Sequence, residues 1–496
     1  MPVIPQPGVE VQERLAPART PSSGNQTVTA LVGTCRRGPT YPTVVRSWTE
    51  FTKHFGAFEG DHELPFAAYN FYNNGGRNLY VARVVASAAA KANAILMSGG
   101  ATPEPALEVE AANPGAWANE VYVEIYEGAD VDTFDMLVYN GGDSAADLSE
   151  RFLGLSQDEN DSRFAELVVN STRSGSKLIR VTVPGGADVP DETTSPEPLT
   201  GGSDGGTPAV STWEKTIEAF DVVTNPVAMN LPGVSEANKI AAAIQYAETR
   251  SDIFVVVDPG ENMDPDEVVA WADALPNSSR AAVYYPWVEW VDPSANSLTT
   301  TRTGPPGGAV LGQYARTDQT RGVWKAPAGL DTRLSGAIAL KTPIDGVETG
   351  KLNHAHVNPL RHQPGSGITI HGTRTLRKTN QADRTVPVRR TLIYLSRSLQ
   401  DLFQFAVFET NDENTWAAIR AEGGRFLTSI WTHGGLRGET AEDAFYVKCD
   451  GELNDETALE QGILNVEVGV ALQRPAEFVV VTLSQWQGGV AAGETL

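Results

Sequence analysis

Asp258 closes the apolar run Val255-Val256-Val257, and His371 heads the tripeptide His371-Gly372-Thr373. An aspartate at a strand end and a histidine beside a glycine are two of the three groups that serine-based acyl transfer needs. The imidazole would take the serine proton and the carboxylate would orient the imidazole. The third group is missing. No Gly-Thr-Ser element follows His371, Ser366 precedes it in the wrong place, and Arg374 breaks the histidine motif. No catalytic residue is assigned.

Other reactive groupings are weaker. His354 and His356 are two residues apart, so a strand would carry both on one side, and His362 could join them around a metal. No cysteine or acidic ligand lies close in sequence, and a polar strand edge is the preferred reading. Gly350-Lys351-Leu352 lacks the Ser/Thr of a phosphate loop, and Asp345 stands where the first glycine belongs. Asp450, Asn454, Asp455 and Glu456 form an acidic loop without EF-hand spacing, which reads as a solvated turn. Neither a metal site nor a cofactor is expected.

The elements that would carry these residues divide the chain into blocks. At 496 residues the chain exceeds one core, and two to four domains are expected. No apolar run approaches the length of a membrane span, and Met1-Pro2-Val3-Ile4-Pro5 has no signal-peptide character. Two cysteines, Cys35 and Cys449, make no disulfide framework and suit a reducing cytoplasm. Both lie in strand-like contexts, as small buried hydrophobes.

A compact α/β unit is predicted from Thr27 to Val85, with Ser47 capping a helix that carries Trp48, Phe51 and Phe55. A second helix runs from about Glu63 to Asn73. From about Ala86 to Val183 the pattern is β-rich, with strands at Val121 to Tyr126, Phe134 to Tyr139 and Lys177 to Val183. Pro184 to Thr212 has no Lys or Arg and reads as an exposed, mobile loop. Strand–helix alternation then marks a parallel sheet, with strands at Val227, Ile253 and Ala281.

Near the C-terminus, Val388, Leu392, Leu395, Leu399, Leu402 and Ala406 form the stripe of a long helix that begins at Pro387. Thr410 to Glu413 reads as a capping box for the next helix, in which Gly423-Gly424 marks close packing or a bend. Leu464, Val466, Val468, Val470 and Leu472 alternate as an inward strand face. Each end of the chain carries a segment suited to pairing with another molecule's sheet edge: Val9, Glu10 and Val11 at one, and Phe478, Val479, Val480, Val481 and Leu483 at the other.

Charge is lopsided. The chain carries 38 Lys and Arg against 62 Asp and Glu, a net of −24, yet residues 302–390 hold 14 basic and five acidic residues, a net of +9. Nucleic acid, a solvated face, or an acidic surface on another copy could each answer that block. No nucleic-acid motif accompanies it, and the favoured reading is complementary charge in self-assembly.

The strings PGVEVQE, ALVGTCRRGPT, SWTEFTKHFG and NNGGRNLYVARVV resemble the N-terminal part of contractile tail sheath proteins. Further along, AAVYYPWVEWVDP, PPGGAVLGQYARTDQTRGVWKAPAG, LNHAHVNPLR, HGTRTL and VPVRRTLIYLSRSL continue the likeness. NDENTWAAIRAEGGRFLTSIWTHGGLRG, AFYVKCD and LNVEVGVALQRPAEFVVVTLSQ complete it. It covers most of 7–85 and 213–485.

The resemblance implies an α/β, multidomain, non-enzymatic protein. Its α/β core domain would be built from both chain ends, beside a subtilisin-like α/β middle domain without a catalytic triad and a β-sandwich-like insertion. The implied layout is a strand-exchange arm (1–26), an N-terminal α/β unit (27–85), a β-rich insertion (86–183) and an acidic flexible loop (184–212). The subtilisin-like domain (213–375), the C-terminal core (376–473) and a second arm (474–496) follow.

Such proteins stack as hexameric rings around a tail tube in phages or phage-like injection devices, then contract to drive the tube through an envelope. The implied partners are other copies, the tube protein, and baseplate and tail terminator proteins, with no direct nucleic acid contact and no membrane insertion. The implied location is a virion tail assembled in the bacterial host cytoplasm. Arg389, Arg390 and Arg397, on the long helix, are the candidate charged contacts to tube or neighbour.

Overall fold

The computed structural model describes residues 27–99, 103–185, 188–295, 297, 299–379 and 383–477. The chain begins with β1 (Val28–Gly33), β2 (Thr43–Val45), α1 (Trp48–Phe55), α2 (Glu63–Asn73) and β3 (Leu79–Arg83). Ser47 caps α1 as its position predicts, its hydroxyl accepting from Glu50 N at 3.1 Å. Phe51 and Phe55 point from α1 into the core.

A β-rich stretch follows: β4 (Asn93–Met97), β5 (Pro105–Ala111), β6 (Val121–Glu127), β7 (Thr133–Asn140), β8 (Leu148–Ser156), α3 (Ala165–Val169), β9 (Ile179–Thr182) and β10 (Glu197–Pro198). The sheets β4-β5-β9 and β10-β6-β7-β8 enclose an apolar interior that includes Leu107, Val109, Ile125, Phe134 and Met136. Sequence pattern marks only β6, β7 and β9 among these strands.

The segment expected as an exposed loop is laid instead as a strap along the insertion. Leu199 is fully buried, its N–H donates to Val121 O at 2.9 Å, and Thr200 and Asn93 exchange backbone bonds at 2.9 Å. Most of its side chains are exposed, as the polar composition predicts, but Leu199 and a row of backbone bonds tie the segment down.

The main domain resumes with α4 (Val210–Glu218), β11 (Val227–Asn230), α5 (Ala237–Arg250), β12 (Ile253–Val257), α6 (Pro265–Asp273), β13 (Ala281–Tyr285), β14 (Val288–Val291) and β15 (Thr301–Gly304). Next come α7 (Gly307–Arg321), β16 (Ala337–Leu340), α8 (Gly346–His354), β17 (Val357–Gln363) and β18 (Gly367–Ile370).

Eight strands form one sheet, ordered β18-β17-β13-β12-β11-β1-β3-β2. It is parallel except at its two edge pairs, β17–β18 and β2–β3. Strands of the blocks 27–85 and 213–375 therefore lie side by side, with β1 paired to β11 across the whole insertion. Local periodicity cannot register such a pairing. Alternate residues serve two layers. Met229, Val255 and Val257 face α5 and α6, whereas Ala228, Phe254 and Val256 face α2 and α7. A strand covered on both faces must be apolar throughout, as β12 is.

The glycines of Pro305-Pro306-Gly307-Gly308 have a packing reason. A Cβ on Gly308 would stand 2.3 Å from Ala67 O, so α7 lies backbone to backbone against α2.

The last block holds α9 (Val386–Leu402), α10 (Glu413–Thr432), α11 (Ala441–Ala444), β19 (Phe445–Lys448), α12 (Glu456–Glu460) and β20 (Glu467–Val470). Leu395, Leu402, Phe426, Leu427 and Ile430 pack α9 on α10. Asp412, not a Thr410 capping box, starts α10, accepting from Asn414 N and Thr415 N at 3.0 Å each. α10 runs unbroken through its glycine pair. A Cβ on Gly423 would meet Phe403 at 3.1 Å and Val447 at 3.3 Å, whereas one on Gly424 would meet nothing within 4 Å. Close packing is the reason for the first glycine. β19 and β20 form a two-stranded antiparallel sheet.

Candidate functional site

Asp258 and Asn230 end neighbouring parallel strands, where the N-terminus of α7 meets the sheet. The Asp258 carboxylate is fully buried and accepts from Gly307 N at 2.8 Å, Asn230 Nδ2 at 3.0 Å and Gly233 N at 3.3 Å. Burial pushes its pKa up to about 6, against the pull of those three donors. None of the donors is an imidazole. Asp258 therefore caps α7 and ties it to β11; its strand-end position serves the fold.

His371 N donates to Pro359 O at 2.8 Å, and burial holds its imidazole below the ordinary histidine value. The three metal candidates do not share a strand. His354 ends α8, His356 turns the chain at φ 66°, and only His362 lies on β17. His356 Nδ1 is 2.8 Å from Thr375 O. Among the described residues no three His, Cys, Asp or Glu side chains gather as a metal site. Lys351 lies within α8 and pairs with Asp266. Asp450 and Asp455 accept backbone N–H groups of their own turns, from Leu453 at 3.1 Å and Ala458 at 2.9 Å.

The candidate arginines are engaged inside the chain. Arg390 is 2% exposed and grips Asp318 on α7 with both terminal nitrogens, at 3.0 and 2.5 Å. Its guanidinium lies 4.5 Å from the Tyr314 ring centroid. Burial opposes its charge, but Asp318 outweighs burial and holds its pKa above the ordinary value. Arg390 is thus an internal tie between α7 and α9, and cannot reach another molecule. The 3.6-residue period turned it inward beside Val386 and Ile393. Arg389, half-buried, pairs with Asp383, and Arg397 pairs with Asp401 at 3.3 Å.

Of the 14 basic residues of 302–390, seven form ion pairs within the chain: Arg302, Lys341, Lys351, Arg374, Lys378, Arg389 and Arg390. The surplus left for a partner is correspondingly smaller than the sequence suggests.

Val9, Glu10, Val11, Phe478, Val479, Val480, Val481 and Leu483 lie outside the described residues. The root of the C-terminal segment is described. Arg374, nearly buried, holds the Glu477 carboxylate through Nε at 3.2 Å and Nη2 at 2.7 Å, and donates to Asn353 O at 2.8 Å. Those bonds hold Glu477 below the ordinary carboxylate range. Sequence reasoning missed this clamp, and also Asp318. For Asp318 a signal existed: it is one of five acids in a basic block.

Residues 378–485 match the family model of the phage tail sheath C-terminal domain. A tail sheath protein of Vibrio phage KVP40 is 25% identical over 178 residues, 36% of this chain and 26% of that protein. The match thus spans about a quarter of that relative's length. Three solved structures share the fold over nearly the whole chain. The sheath of the PVC extracellular contractile injection system, in its contracted state, has TM-score 0.60 and 21% identity, covering 98% of this chain and 99% of that one. The contracted helical sheath of the anti-feeding prophage has TM-score 0.59 and 20% identity, covering 97% and 100%. A sheath tail protein of Listeria innocua has TM-score 0.62 and 12% identity, covering 91% and 96%. The chain shares the mixed α/β, multi-sheet fold of these sheath structures, and residues 378–485 are similar to the phage tail sheath C-terminal domain.

Proposed function

We propose that this chain is the structural subunit of a contractile sheath, polymerising as stacked hexameric rings around a tail tube and shortening to drive that tube through a target envelope. The observation that carries the reading is the sheath C-terminal domain set in a chain that shares the sheath fold from end to end. The geometry agrees with it. Among the described residues β19 and β20 form a sheet of two strands, and two strands are marginal without further pairing.

Terminal segments of neighbouring copies, carrying Val9 to Val11 and Phe478 to Leu483, would supply that pairing through main-chain bonds. Other copies, the tube protein, the baseplate and the terminator are the partners in this reading, and the tail of a virion built in the host cytoplasm is the location. The segment boundaries given above, the subtilisin-like kinship of the middle block, and Arg389 and Arg397 as charged contacts belong to the same proposal. Arg390 does not. A phage-like injection device in place of a virion fits equally well, since the PVC and anti-feeding prophage sheaths share this fold.

Negative-stain electron microscopy of the purified chain is the test. Striated hollow tubes are expected, either alone or on co-expression with the tube protein. Monodisperse monomers under both conditions would overturn the reading.

A further inference from the structure

Phe408 is fully exposed and is held at φ 67°, in the left-handed region that bulky residues avoid. It sits in the turn between α9 and α10, with Val407 exposed beside it. The turn is braced: Asn411 Nδ2 donates to Ile463 O at 2.9 Å, and Trp416 Nε1 donates to Asn411 Oδ1 at 2.7 Å. Exposed Leu459 and Ile463 extend the apolar surface. Exposed Glu409 follows Phe408 on the turn, and Glu456 and Glu460 lie on α12 beside Leu459. A strained, braced and fully exposed phenylalanine next to an exposed glutamate has the form of a preorganised contact anchor.

A complementary surface lies at the other end of α9. A cleft of about 540 Å³ has Val388, Leu392 and Leu472 as its floor and Arg389, Arg437 and Arg474 at its rim. Arg389 is paired with Asp383, but Arg437 and Arg474 are exposed and have no carboxylate partner among the described residues. α9 runs on to Leu402, so about 15–21 Å of helix separates Leu392 and Val388 from the turn that carries Phe408. Within one copy they cannot meet.

The geometry points to a contact between copies in which the Phe408 turn of one seats in the arginine-rimmed cleft of the next. Knob and socket at opposite ends of one helix make a head-to-tail interface, the kind that propagates as rings or open helices. Opposite charges around the apolar anchor fix its register. The inference rests on the self-assembly reading above and adds to it a side-chain contact separate from the terminal segments.

Two experiments test it. Phe408→Gly removes the anchor and relieves the positive φ, so the variant should melt no lower than the parent while the concentration needed for assembly rises about tenfold. Glu409→Arg should raise that concentration similarly, and Arg437→Glu in the same chain should restore it. Independently, Phe408→Cys with Leu392→Cys should give a ladder of covalent multimers on oxidation, because these positions are too far apart to join within one copy. The native Cys35 and Cys449 are both buried.

Tubes formed by Phe408→Gly at the parental concentration, with only monomers on oxidation of the cysteine pair, would overturn the contact and leave the sheath proposal standing. A cross-linked ladder from a protein that forms no tubes would support the contact and count against the sheath.

Discussion

Asp318→Ala is the sharpest probe of what holds the C-terminal domain to the main sheet. Arg390 is 2% exposed and spends both terminal nitrogens on Asp318, which is itself 18% exposed. Asp318 also stands in the last turn of α7, where the helix dipole disfavours a carboxylate. It is held there by the arginine. Removing it strands a buried guanidinium, a loss of about 3–5 kcal/mol when a buried pair is broken from one side. Slight solvent access at Asp318 places the expectation near about 3 kcal/mol. Arg390→Met leaves a carboxylate that water can reach and should cost about 2 kcal/mol. The pair Asp318→Leu/Arg390→Met, apolar on both sides, should cost less than Asp318→Ala alone. A multidomain chain has no single unfolding free energy, so hydrogen exchange of peptides from α7 and α9 is the measurement. Asp318→Ala should accelerate exchange there by about a hundredfold, and the double variant should recover most of that protection. Equal or additive effects of the single and double changes would refute the coupling.

Other expectations concern separate parts of the chain. Gly424→Ala should raise the thermal midpoint, by about 1 kcal/mol of helix propensity, whereas Gly423→Val should lower it by about 1–3 kcal/mol against Phe403 and Val447; the reverse order in calorimetry would refute the packing account. Asp258 has a folded pKa raised to about 6, so its contribution is present below the unfolded value near 4 and is lost as pH rises through 6, by up to about 3 kcal/mol. Thermal midpoints between pH 4 and 7 should show that slope and Asp258→Asn should flatten it; an unchanged slope in the variant would show that another group titrates. Deleting residues 1–16 should leave the circular dichroism of the monomer unchanged yet abolish tubes, and normal long tubes from the truncated chain would remove the strand-exchange role.

How much was legible depended on the range of the interactions. α1, α2, β11, β12 and β13 were readable because each is fixed by a local apolar period or cap, such as Ser47 on α1. The pairing of β1 with β11 was not, since about 190 residues separate them and nothing local records the register. The attachment of the segment 188–203 is not legible because its composition is mostly polar; only Leu199 hints at the backbone bonds that tie it to β4 and β6. Candidate sites divide the same way. Asp258 has the residue type and position of a catalytic aspartate, and only the donors around it, two of them main-chain, reveal a helix cap. Arg390 was read by charge, and its inward helical phase was available from Val386 and Ile393 at spacings of four and three.

Residues 302–390 look like a +9 surface, but five of their cations are neutralised by acids from elsewhere in the chain, Glu63, Glu261, Asp266, Asp273 and Glu477, and Arg389 and Arg390 pair with acids of the block itself. What those pairs do is mechanical. Arg302–Glu63 joins β15 to α2, Arg374–Glu477 anchors the start of the C-terminal segment, and Arg390–Asp318 joins α9 to α7. In the proposed sheath, a subunit pulled by its neighbours would have to pass load from its terminal segment into its sheet without unfolding. Arg374 makes that connection directly, because it holds Glu477 and the Asn353 carbonyl at the end of α8 with one guanidinium. Within the block, Arg316, Arg321, Lys325, Arg333, Arg361, Arg377 and Arg384 form no ion pair among the described residues. The basic block therefore serves cohesion within the subunit first, and attraction between subunits only through what is left over.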